Sequence, residues 1–138
     1  MADADCILHA GDIMDVSLLE VLAGFAPVHA VLGNNDTGLT LPERLTVDIG
    51  GCSVAMVHDS GSSAGRSARL RRWFPHADVV VFGHSHIPWN VAVTGPDGHV
   101  QHHVNPGSAL QRRRQPECTI GWLDIADDKV CSVTIEPV

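Results

Sequence analysis

Four short segments of this 138-residue chain gather the side chain types that hold metals: Gly11-Asp12, Gly33-Asn34-Asn35-Asp36, His58-Asp59 and Gly83-His84-Ser85-His86. Each ends a stretch that reads as a strand. In open α/β sheets the crevice beyond the strands' carboxyl ends is where ligands sit. Glycine just after a strand lets the backbone turn sharply, so the next side chain can point into that crevice. Taken singly the segments are weak: Gly-Asp is a common turn, Asn-Asn-Asp is ordinary turn chemistry, and His58 alone could be a satisfied core histidine. His84-Ser85-His86 is stronger, because alternate residues of an extended segment project to one face. Four such clusters at successive strand ends are hard to attribute to chance. A donor set of carboxylate, amide oxygen and imidazole suits manganese, iron, zinc or nickel, whereas calcium favours an all-oxygen shell. Two such ions about 3.5–4 Å apart can share a bridging carboxylate and hold an attacking hydroxide. That chemistry needs no protein nucleophile, and no Ser/His/Asp or Cys/His constellation is recognisable.

The elements that must position these groups alternate between strands and helices, then become strands alone. Residues 6–10 and 28–32 read as short buried strands. Between them, Asp15 or Ser17 could cap a helix carrying Leu18, Leu19, Leu22 and Phe25 at helical spacing. Residues 46–49 and 53–57 read as a hairpin across Gly50-Gly51. Residues 64–74 read as a helix with Leu70, Trp73 and Phe74 on one side and arginines on the other. A buried strand at 78–82 follows, then hairpins 91–93/99–104 and 119–125/130–135, the last around Asp127-Asp128. The expected architecture is one α/β domain over residues 1–138, a mixed β-sheet core flanked by helices.

Composition narrows the function classes. The formal charge of −7 argues against bulk nucleic-acid binding, and no apolar run approaches the ~20 residues of a membrane span. The acidic start, Met1-Ala2-Asp3-Ala4-Asp5, has no secretory pattern, so a cytoplasmic protein is expected. Arginines 66, 69, 71 and 72, and again 112, 113 and 114, form two local basic groups. These are either solvated faces or a landing site for an anionic substrate. Cys6, Cys52, Cys118 and Cys131 are widely spaced, with no Cys-x-x-Cys pair, and read as buried free thiols.

The order Gly-Asp, Gly-Asn-x-Asp, His, Gly-His-x-His resembles the calcineurin-like metallophosphoesterases, and within them the small YfcE-type bacterial phosphodiesterases. Leu41-Pro42-Glu43, the segment around the His-x-His, and Asn105-Pro106-Gly107-Ser108 extend the likeness from Ala4 onwards. The resemblance implies a metallophosphoesterase sandwich that hydrolyses a phosphodiester or phosphomonoester with a metal-bound hydroxide. It implies Asp12 as the bridging carboxylate, with Asn34, His58 and His84 completing one metal site and His86 belonging to the other. Asp12, Asn34 and His84 are the implied catalytic residues, with Asn35 and Asn105 on the substrate side. Manganese is the metal expected foremost, with nickel, iron and zinc as alternatives.

Three departures accompany the resemblance. No Asp-x-His precedes the first strand, so an N-terminally truncated sandwich is expected, holding one ion instead of two and prone to homo-oligomerise. A fragment, an internal start and a natural short form all fit. Asn35 stands where many relatives carry a histidine that protonates the leaving group; asparagine cannot do this, so aryl phosphodiesters should react best. Asp59-Ser60 follows His58 where many relatives have Gly-His. The alternative function is a catalytically impaired metal-binding or oligomerisation module. Of the other histidines, His9, His29, His76 and His99 read as structural, and either His102 or His103 could approach the pocket near Asn105.

Overall fold

The computed structural model describes residues 5–9, 27–31, 43–84, 87–107 and 119–137. Strands β1 (Ile7–His9) and β2 (Val28–Ala30) pair in parallel, with Ile7 opposite Val28. A five-stranded mixed sheet contains β3 (Arg44–Ile49), β4 (Cys52–Val57), β5 (Val79–Phe82), β6 (Trp89–Thr94) and β7 (Val100–Asn105). Its order is β3-β4-β5-β7-β6. The inner pairs β4-β5 and β5-β7 are parallel, and the outer strands are antiparallel to their neighbours. Helix α1 (Arg66–Trp73) makes the crossover from β4 to β5, the connection that parallel neighbours require. Strands β8 (Thr119–Ala126) and β9 (Lys129–Pro137) form a separate hairpin.

Period-two alternation sorts the apolar side chains into two layers. Val54, Met56, Val79, Val81 and Val104 face one way, against Leu123, Ile125, Val130 and Val133 of the β8-β9 hairpin. Ala55, Val57, Val80 and Phe82 face the other way, against Leu70 of α1 with Trp73 and Phe74. Strand β5, Val-Val-Val-Phe, is buried along its whole length, as expected of an inner strand covered on both faces. The mixed-sheet α/β sandwich expected from the sequence is the architecture observed. The helix expected to carry Leu18, Leu19, Leu22 and Phe25 lies outside the described residues.

Two hairpin tips need left-handed backbone. Gly50 and Gly51 (φ 58 and 86) turn β3 into β4, and Asp127 and Asp128 (φ 53 and 62) turn β8 into β9. Positive φ at both central residues matches the right-handed twist of the flanking strands. The tips meet where the Asp128 amide donates to the Gly50 carbonyl at 3.2 Å.

His99 has the structural place expected of it. Its Nε2 lies 2.9 Å from Asp78 Oδ1, while Asp78 Oδ2 accepts from the Ser53 amide at 2.8 Å. Burial raises the Asp78 pKa, but these hydrogen bonds outweigh it and hold the group below the usual carboxylate range. The cysteines correct the expectation of uniform burial: Cys52 is buried, Cys6 half-buried and Cys131 exposed. Asp124 pairs Ser132 while Ile125 pairs Val130, so Cys131 is the extra residue of a bulge, left outside the ladder.

Candidate metal centre

Parallel strands release their carboxyl ends at the same edge of a sheet. Strands β4, β5 and β7 are consecutive and parallel, with Val57 opposite Phe82 and Val81 opposite Val104. His58 follows β4, Gly83-His84 follows β5, and Asn105 ends β7. Three segments far apart in sequence therefore come together at one edge.

Hydrogen bonds lock them side by side. The Gly83 amide donates to the His58 carbonyl at 2.9 Å. Asn105 Nδ2 donates to the Gly83 carbonyl at 3.2 Å, and Asn105 Oδ1 accepts from the Gly107 amide at 3.0 Å. Asn105 is fully buried, at 0% exposure, so this amide braces the turn that presents His84. His84 itself has φ 70, a left-handed conformation uncommon outside glycine and concentrated at functional sites. His84 Nδ1 lies 3.3 Å from His58 Nε2, with the rings edge to face at 5.2 Å between centroids. His58 is buried, at 4% exposure.

This spacing fits a shared cation. Two imidazole nitrogens each bound at about 2.0–2.1 Å stand about 2.8–3.4 Å apart, from octahedral to tetrahedral angles. Among the described residues no group of three or more His, Cys, Asp or Glu forms a metal cluster. Of the residues expected at the site, His58, His84 and Asn105 come together here. Asp12, Asn34, Asn35 and His86 lie outside the described residues.

The surroundings include His103 and the arginines of α1, for which the sequence left two readings open. On the α1 side of β7, His103 is fully buried, with Nε2 2.7 Å from Gln101 Oε1. Gln101 Nε2 donates to the carbonyls of Phe74 and Ala77, so its oxygen must accept and His103 Nε2 carries the proton. Burial, then Arg71 and His102, push the His103 pKa down to about 4. The arginines of α1 are not the plain solvated face that is one reading of their spacing. Arg69 Nε donates to the Ser60 carbonyl at 2.7 Å, and its guanidinium also reaches the carbonyls of Ser62 and Ala64. It thereby ties the loop after His58 to the helix. Arg66 lies over the rings of Phe82 and Trp89.

A probable metallophosphoesterase of Methanothermobacter thermautotrophicus is 34% identical over 91 residues, which are 63% of this chain and 53% of the relative. The chain thus spans about half the length of the curated relatives it matches. A conserved uncharacterized protein of Streptococcus pneumoniae TIGR4, described as a predicted phosphoesterase, superposes with TM-score 0.70 at 25% identity, over 98% of this chain and 75% of that one. Zinc-complexed wild-type Vps29 from Entamoeba histolytica gives TM-score 0.75 at 24% identity, over 97% and 81%, a likeness of fold. Residues 1–128 match the sequence model of the calcineurin-like phosphoesterase superfamily domain. With that match covering nearly the whole chain, this protein belongs to the calcineurin-like phosphoesterase superfamily.

Proposed function

We propose that the chain is a divalent-metal-dependent phosphoesterase of the YfcE-type subgroup, acting on a phosphodiester or phosphomonoester. The observation that carries this reading is the imidazole pair of His58 and His84, set at ligand spacing on the carboxyl edge of the sheet of a superfamily member. His58 and His84 would hold the ion, with Asp12, Asn34 and His86 as its further proposed ligands. Such an ion, when bound, would supply Lewis acidity and lower the pKa of water at the site. Asn105 fixes the Gly83 peptide, so His84 is presented in one orientation before substrate arrives. Asn35 can orient a substrate oxygen but cannot give up a proton, which favours substrates with good leaving groups. Manganese is the proposed metal. Zinc, which Vps29 of Entamoeba histolytica binds, is an alternative alongside nickel and iron.

Fold alone does not carry the enzyme reading, because vacuolar protein sorting proteins share it. Hydrolysis of bis(p-nitrophenyl) phosphate by the purified chain, with and without manganese, decides. The expected result is manganese-dependent release of p-nitrophenolate that falls more than about tenfold in His84→Ala, since even outer-shell partners of metals cost that much. Manganese binding without hydrolysis would instead favour the metal-binding module.

A further inference from the structure

The loop over residues 58–65 leads from the carboxyl end of β4 directly into α1, whose first residue is Arg66. Arg66 therefore sits at the same sheet edge as His58 and His84. Its guanidinium carbon lies 4.9 Å from the ring centre of Phe82, two residues before His84. It lies the same 4.9 Å from the ring of Trp89, the residue paired across the sheet with Asn105.

The charge on Arg66 is poorly matched. Among the described residues its guanidinium makes one hydrogen bond, a long one from Nη2 to the Gly61 carbonyl at 3.5 Å. Its Nε and the Trp89 indole nitrogen are buried and have no hydrogen-bond partner among the described residues. No carboxylate among the described residues reaches it within ion-pair distance; the pair found there is His99 with Asp78. Asp59 acts on it only from further away, and its Oδ1 accepts from the Gly61 amide. Arg69, by contrast, spends its guanidinium on three carbonyls. A guanidinium held against aromatic rings keeps its planar fork oriented, and a buried donor without an acceptor is costly until one arrives.

We propose that Arg66, together with the Trp89 indole N–H, is the anion-recognition element of this site. It holds the non-bridging oxygens of the phosphate ester beside His58 and His84 and so determines specificity. The inference rests on the phosphoesterase reading, and its test separates the two.

Inorganic phosphate is titrated into the zinc-loaded, nitrogen-15-labelled full chain while the Arg66 Nε–H and Trp89 indole resonances are followed. Both should shift saturably. The Trp122 indole, which donates to Glu136 Oε1 at 2.6 Å, should stay in place. Arg66→Gln should weaken phosphate binding about tenfold or more, as expected when a charge-assisted hydrogen bond is lost, with zinc stoichiometry unchanged. Arg66→Lys should recover part of the loss. If Arg66→Gln does not fold, Trp89→Phe gives the same reading, because it keeps a ring and removes the donor. Unmoved resonances, or equal phosphate affinity in the variants, overturn the inference. Phosphate bound through Arg66 without hydrolysis leaves the inference standing and sinks the phosphoesterase reading. Manganese-dependent hydrolysis with KM unchanged in Arg66→Gln overturns the inference and leaves that reading intact.

Discussion

His58 and His84 were legible in the sequence because each follows a short apolar strand, and because Gly83 marks a turn that throws the next side chain outward. Arg66 was not. Arginines spaced along a helix look solvated unless it is known that β6 delivers Trp89 beneath them. His103 was legible only as an alternative to His102, since Gln101-His102-His103 reads as polar until β7 is placed inside the sheet. Its pKa of about 4 has a consequence for stability. The folded value lies below the ordinary histidine value, so the unfolded chain binds more protons between about pH 6.5 and pH 4. The stabilisation is therefore fully present above pH 6.5 and lost as pH falls towards 4. Chemical denaturation across that range should show a decline of the order of 2–3 kcal/mol beyond that of His103→Gln. That variant keeps a donor for Gln101. A second residue-scale expectation concerns Arg69, which joins the loop after His58 to α1. Arg69→Ala should cost about 1–3 kcal/mol in urea unfolding, the scale for losing a charged donor to partly buried carbonyls.

Among the elements, strand positions followed from apolar runs and turn residues, and the sheet order did not. The hairpin of β6 and β7 was readable, but the insertion of β7 between β5 and β6 is decided by parallel pairing of Val79 with His102 and Val81 with Val104. No local pattern encodes that choice, and Gln101 hides it because its amide nitrogen donates to carbonyls 24 and 27 residues away. The Asp127-Asp128 turn was recognised as a turn, and its chemistry can be improved. Both residues hold positive φ, where Asn-Gly is the favoured pair. Asp127→Asn combined with Asp128→Gly should stabilise the hairpin by about 0.5–1 kcal/mol, read from the thermal midpoint. Gly50→Ala should do the reverse, costing about 1–2 kcal/mol. Its φ is 58, and an added Cβ would stand 2.9 Å from Ile125 Cγ2 of the opposite hairpin.

At the scale of the molecule, two apolar layers on either face of one mixed sheet fix where the chemistry can be. Three parallel strands end together, and the helix joining two of them starts at that same edge. The layers were legible because β4 and β5 are apolar on both faces, which only a middle layer permits. Convergence of His58 with His84 depends on β4 and β5 being neighbours in register, a tertiary fact that spacing in sequence leaves open. No helix among the described residues is long and apolar enough to cross a membrane. This edge should hold a divalent ion through His58 and His84. Manganese is titrated calorimetrically into the EDTA-stripped full chain, with bound metal then counted by elemental analysis. Saturable binding of at least about one equivalent is expected, lost in His84→Ala and in His58→Ala while circular dichroism shows the fold intact. Binding below about half an equivalent, or equal binding in the folded variants, would contradict it.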